Sequence, residues 1–187
     1  MMTRKTAALL LTAFCAAAQA RDYRFSDYPA GKIYRGKNHK LIIPKRWKIV
    51  QEDIKKEYYY NKEHTPIGFA GNYVPAIWSC GSSCQFGVIV DARSGKAYDL
   101  DPLGTDHPLY PCYLPGNKDG EEIFQYRADS RLFITTNCHY TDLAENTSQY
   151  LSRLQHKTTY IYEWRERQKK FVLLKKTVSK SIVPSSW

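Results

Sequence analysis

Ala76-Ile77-Trp78-Ser79-Cys80-Gly81-Ser82-Ser83-Cys84-Gln85-Phe86-Gly87-Val88-Ile89-Val90-Asp91 sets the character of this chain. Two cysteines and a glycine occupy a turn, with an apolar run on each side. The run at 86–90 has the near-continuous hydrophobicity of a strand buried on both faces. On the other side, 69–78 is rich in β-branched and aromatic residues, and Pro75 within it points to an edge strand or a bulge. Asp91-Ala92-Arg93-Ser94-Gly95 reads as a tight turn with glycine at its permissive position. A further strand is expected at 96–100.

Upstream of this hairpin, 46–60 reads as a helix. Trp47, Val50, Ile54 and Tyr58 recur at spacings of three and four and share one face. Glu52 and Lys56 are placed to pair on the outer face. The segment 21–45 is aromatic and irregular and reads as an extended arm over the body. Downstream, 101–120 is a loop with four prolines, too long for a plain connector, so it is functional or tied down. Strands follow at 121–127 and 131–137, a short helix near 148–154, and a final hairpin made of 158–164, a turn at 165–168, and 169–178. Residues 179–187 read as a tail. The expected fold is α+β, with the helix packed on an antiparallel β meander of six or seven strands, a curled sheet or partial barrel stapled by disulfides.

The N-terminus sets the compartment. Residues 1–20 have the layout of a secretory signal peptide: Arg4 and Lys5, a short apolar run, and Ala18-Gln19-Ala20 as a small-x-small cleavage site. The run is too short for a membrane anchor. Cys15 follows an apolar run as a lipidated cysteine does, but Phe14 in front of it disfavours lipidation. Cleavage after Ala20 leaves one domain over 21–178 and the tail, periplasmic or secreted, with no transmembrane segment. Of 28 basic and 18 acidic residues the signal carries two basic ones, which leaves the mature chain at +8. That balance favours an envelope or secreted protein partner, or an anionic lipid or glycan surface, and disfavours nucleic acid, which that compartment scarcely offers.

Cys80, Cys84, Cys112 and Cys138 remain after cleavage, an even number in an oxidising compartment. The favoured pairing is Cys80–Cys84 with Cys112–Cys138; the alternative ties the hairpin turn to the later cysteines. The longer loop contributes about 3 kcal/mol on the chain-entropy argument. Three residues between Cys80 and Cys84, with strand on both sides, do not match the two-residue spacing and helix N-terminus of a redox pair. Zinc-ribbon spacing is also absent. Cys138-His139 near Asp142 presents a nucleophile and a base only if the thiol is free. No catalytic set, metal site or cofactor is assigned.

Several short motifs occur in order: Phe69-Ala70-Gly71-Asn72-Tyr73, Trp78-Ser79-Cys80-Gly81-Ser82-Ser83-Cys84, Ile89-Val90-Asp91-Ala92-Arg93-Ser94-Gly95-Lys96, Asp129-Ser130-Arg131-Leu132 and, near the N-terminus, 25–29 (FSDYP). Together they resemble an uncharacterised family of small exported bacterial proteins with FAGxY, CGxxC, IVDxxTGK and DSRL motifs. The resemblance implies an exported, β-rich single domain and no particular activity. Ser79 departs from the glycine of that pattern, and 101–120 and 137–157 look like elaborations.

Candidate binding residues follow from position. Tyr110 and Tyr113 flank Cys112 in the long loop, and tyrosine suits contact surfaces. Asp129 and Arg131 stand at a turn, either as a ligand-gripping pair or with Asp129 on turn amides and Arg131 on a buried carboxylate such as Asp91. Tyr58-Tyr59-Tyr60 is a further aromatic cluster among 15 tyrosines. Lys169 and Lys170 begin the basic return strand, where Lys175, Lys176 and Lys180 follow. That cationic edge is either a contact surface or protection against strand-to-strand aggregation. The leading reading is a non-enzymatic binding module, inhibitor- or immunity-like. The alternatives are an envelope hydrolase or thiol oxidoreductase, and a structural envelope protein that binds anionic lipid or glycan.

Overall fold

The computed structural model describes residues 22–59, 66–81, 84–103, 109–117, 120–143 and 152–184. The 1–20 segment, the side chains of Cys80 and Cys84 and residues 185–187 lie outside the described residues, as does the expected Cys80–Cys84 disulfide. Among the described residues there are one α-helix and seven strands: α1 (Gln51–Tyr58), β1 (Tyr73–Gly81), β2 (Cys84–Asp91), β3 (Ala97–Asp99), β4 (Phe124–Tyr126), β5 (Leu132–Asp142), β6 (Ser152–Arg165) and β7 (Lys170–Pro184). A 3-10 turn, Lys45–Val50, leads into α1. The protein is mostly β.

The strands do not make one meander. They divide into a three-stranded sheet, β1-β2-β3, and a four-stranded sheet, β4-β5-β6-β7, both antiparallel throughout. The break falls in the proline-rich 101–120 segment, where proline removes the amide donors that a continuing sheet needs. Pro75 lies on an edge strand, as its missing N–H requires. Ile54 and Tyr58 of the helix are fully buried against Val74, Ala76, Val88 and Val90, with Trp47 and Val50 packed on the same cluster. The Glu52 partner is Lys55, one residue earlier than the expected Lys56. Tyr58 is core and not contact surface: its hydroxyl donates to the His39 carbonyl at 3.0 Å, and burial pushes it up to about 12.

A second core cluster joins the two sheets. Phe69, Tyr73 and Ile89 from the first side meet Phe133, Trp164 and Phe171 from the second. Phe69 stacks on Phe171 at 5.7 Å and meets the Phe133 ring edge-on at 5.8 Å. Tyr73 meets Trp164 at 5.1 Å. Each such ring pair contributes roughly 0.5–1.5 kcal/mol beyond its buried area.

Three sequence expectations change in the second half. β5 runs past 137 to Asp142, β6 begins at Ser152 where a helix near 148–154 was expected, and β7 extends through 179–184, which is therefore strand and not tail. The common reason is exposure. This distal part of the sheet has one open face, so its sequence lacks the apolar alternation that marks a half-buried strand.

Candidate functional site

Residues of four motifs, at 25–29, 69–73, 89–96 and 129–132, form a structural junction. Ala70 and Gly71 take positive φ (45° and 83°) and turn the chain so that their amides reach the 127–130 turn. Ala70 N–H donates to the Ser130 carbonyl at 3.1 Å, and Gly71 N–H to the Ala128 carbonyl at 2.8 Å. Asn72 Nδ2 donates to Asp91 Oδ1 at 2.7 Å. Asp91 caps its own turn, accepting from the Arg93 amide at 3.0 Å and the Ser94 hydroxyl at 2.9 Å. The N-terminal arm joins the same junction: the fully buried Ser130 hydroxyl bonds the carbonyls of Phe25 and Tyr28.

Asp129 and Arg131 do not act as a pair. Asp129 takes the Arg127 guanidinium through two bonds of 2.9 and 2.8 Å. Arg131 pairs with the buried Glu163 and donates to the Pro29 carbonyl, so its carboxylate partner is Glu163 and not Asp91. Arg165 closes on the other oxygen of Glu163 at 3.0 Å. A cleft of about 380 Å³ opens here, lined by Asp22, Asp27, Tyr28, Arg131, Glu163, Arg165 and Leu174. Its lining mixes cations and carboxylates, and Glu163 already engages both arginines.

Lys169 likewise serves the interior. It sits in the β6–β7 turn with φ 51°, and its ammonium donates to Tyr73 Oη at 2.7 Å and pairs with Glu166. Tyr73 donates in turn to Glu166 Oε2 at 2.7 Å, and Trp164 Nε1 reaches the same oxygen at 2.8 Å. Burial, then the bond to Glu166, raises the Tyr73 hydroxyl far above its ordinary value. Burial alone would raise Glu166 as well, but bonds from Lys169, Tyr73 and Trp164 and the Lys169 charge hold it below the usual carboxylate range. Nothing local in the sequence signals this cluster, because Tyr73 and Glu166 lie 93 residues apart.

The long loop is fastened to one face of the distal sheet. The Cys112–Cys138 disulfide joins it to β5 (S–S 2.04 Å). Tyr113 N–H donates to Gln155 Oε1 at 2.6 Å, the Tyr140 hydroxyl donates to the Pro111 carbonyl at 2.9 Å, and Glu121 pairs with Lys157. Tyr113 is thus part of the brace. Tyr110 is 43% exposed and lines a cleft of about 430 Å³ with Pro111, His139, Tyr140 and Arg153. Cys138 is sulfur-bonded beside His139, so it holds no free thiol in this state. Among the described residues, no group of three or more His, Cys, Asp or Glu side chains could hold a metal ion.

The opposite face of the distal sheet is open. Cross-strand pairing sets His139 opposite His156 and His156 opposite Lys180, with the two imidazole centroids 6.2 Å apart. Tyr160 stands opposite Lys176, whose ammonium lies 5.1 Å above its ring. Val178 and Ile182, 57% and 69% exposed, complete the β7 side, and Thr158 and Leu154 face them on β6. No aspartate or glutamate among the described residues occupies this face. Among the described residues, Lys170, Lys175, Lys176 and Lys180 have no carboxylate partner. The sequence marks Lys170, Lys175, Lys176 and Lys180 as a cationic edge, but a strand ending at 178 leaves out Lys180 and Ile182, which share a face with Lys176 and Val178.

The protein is mostly β, with two antiparallel sheets and a disulfide-braced arm. Comparison with family profiles, with curated proteins and with solved structures finds no match to this chain. No helix among the described residues is long and apolar enough to cross a membrane.

Proposed function

We propose that this protein is a non-enzymatic binding module of the periplasm or secreted space, whose β5–β6–β7 arm engages an acidic protein partner. One observation carries the reading: among the described residues, β7 bears four lysines without carboxylate partners, and the open face it shares with β5 and β6 holds no acid. The other cations of this half of the chain that lie near carboxylates are already paired. Arg131, Arg165 and Lys169 neutralise Glu163 and Glu166, while Lys157 and Arg153 are paired with Glu121 and Asp142. An inhibitor- or immunity-like role fits the same surface. The disulfide and the Glu121–Lys157 pair support this by holding the arm rigid before contact, which lowers the ordering cost of binding.

The test uses the mature chain on immobilised polyglutamate, on a sulfated glycan and on vesicles rich in phosphatidylglycerol. Retention on polyglutamate that falls steeply with salt, and is lost in the Lys176→Glu/Lys180→Glu variant, is the expected result. Retention only on the glycan or the vesicles transfers the arm to the anionic-surface reading. Equal retention of wild type and variant on polyglutamate refutes the assignment to this face.

A further inference from the structure

We infer that the outer edge of β7 is a strand-addition site for an extended acidic segment of a partner protein. The inference rests on the binding reading above and specifies how the partner docks. β7 is the last strand of its sheet, paired with β6 on one side only. The N-terminal arm closes its proximal end, where Tyr23 Oη meets the Leu174 carbonyl at 3.4 Å and Lys175 lies over the Tyr23 ring. From 175 to 184 no backbone group on the outer edge has a partner among the described residues. Alternate residues there turn their main-chain groups outward, which is the template that strand addition uses.

Charge selects the occupant. On the open face the side chains alternate cation and apolar group along the strand: Lys176, Val178, Lys180, Ile182. On the other face the intervening positions are Thr177, Ser179 and Ser181. A second copy of β7 would set a lysine-rich strand beside a lysine-rich strand, and like charges facing each other across a ladder are destabilising. The complementary segment therefore carries an acidic and an apolar residue at alternate same-face positions, with small polar residues between them. Such a strand places a carboxylate beside each lysine and covers Val178 and Ile182. The ladder supplies affinity and the alternation supplies specificity.

The experiment titrates the mature protein with a short synthetic peptide that alternates Glu and Val on one face and Thr on the other. Two controls accompany it: a scrambled peptide of the same composition, and the parent peptide N-methylated at alternate amides. Saturable binding of the parent is expected. Both controls, and the parent against the Lys176→Glu/Lys180→Glu protein, bind weaker by about tenfold or more, as the loss of two cross-strand charge pairs or of the ladder bonds requires. Equal binding of the N-methylated and parent peptides overturns strand addition and leaves charge attraction to an acidic partner standing. Retention on polyglutamate without binding of the parent peptide also overturns strand addition alone. If neither polyglutamate nor the peptide is bound, the binding reading falls with it.

Discussion

Replacing Tyr73 with Phe tests how the two sheets are held together. The residue is fully buried, and its ring contacts Trp164, Tyr98 and Phe69, all of which phenylalanine keeps. Only the hydroxyl is lost. That oxygen donates to Glu166 Oε2 and accepts from Lys169 Nζ, each at 2.7 Å. A hydrogen bond to a charged group contributes about 1.5–3 kcal/mol. Glu166 and Lys169 remain paired to each other and partly exposed, so water and the surviving ion pair recover part of the loss. The expected net cost is about 1–2 kcal/mol, a fall in Tm of roughly 2–8 °C for a chain of this size. Urea unfolding followed by tryptophan fluorescence reads it directly, with Trp164 as a reporter inside the cluster. A Tyr73→Phe protein within about 0.5 kcal/mol of wild type refutes the assignment. So does the absence of coupling between Tyr73→Phe and Glu166→Gln in a double-mutant cycle.

Three further outcomes follow from the same contacts. The Cys112→Ser/Cys138→Ser protein, which opens a cross-link spanning 26 positions, should lose about 3 kcal/mol and expose the 109–117 loop to proteolysis; differential scanning calorimetry and limited digestion measure both. Gly95→Ala should cost at least about 2 kcal/mol in chemical denaturation, because its φ of 72° disfavours a side chain and a Cβ there overlaps the Lys40 carbonyl. The Glu166 carboxyl is held low in the folded state, so its contribution is present above the unfolded value of about 4.3 and is lost as pH falls through the folded value. Stability measured across the acid range should decline there in wild type and decline less in Glu166→Gln.

The parts of this fold that were legible in the sequence are those buried on a regular face. Trp47, Val50, Ile54 and Tyr58 revealed the helix because all four meet the same core, and the 86–90 run revealed β2 because it is covered on both sides. The distal arm was not legible. Polar residues such as Thr141, Ser152, Ser179 and Ser181 form strand there within the ladder. The Cys112–Cys138 link was one of the pairings that four cysteines allow, and the structure contains it. For the site, Asp129 and Lys169 are satisfied by near neighbours, Arg127 and Glu166, and Arg131 by a buried carboxylate as one reading expected, though it is Glu163, 32 residues away, and not Asp91. Four of the motifs, at 25–29, 69–73, 89–96 and 129–132, meet at one junction, where Asn72, Asp91 and Ser130 bind chain to chain, while the cysteine motif lies at the far end of the β1–β2 hairpin.

The assignment of function to the β5–β6–β7 arm is tested most directly by residue-resolved mapping. The ¹⁵N-labelled 21–187 chain is titrated with a short polyglutamate peptide while every backbone amide is followed by NMR. The account predicts shifts concentrated on β7 around Lys176, Val178, Lys180 and Ile182, extending to His156 and His139, and abolished by Lys176→Glu/Lys180→Glu. Shifts confined to the cleft between Arg131 and Arg165, or no shifts at all, would contradict it.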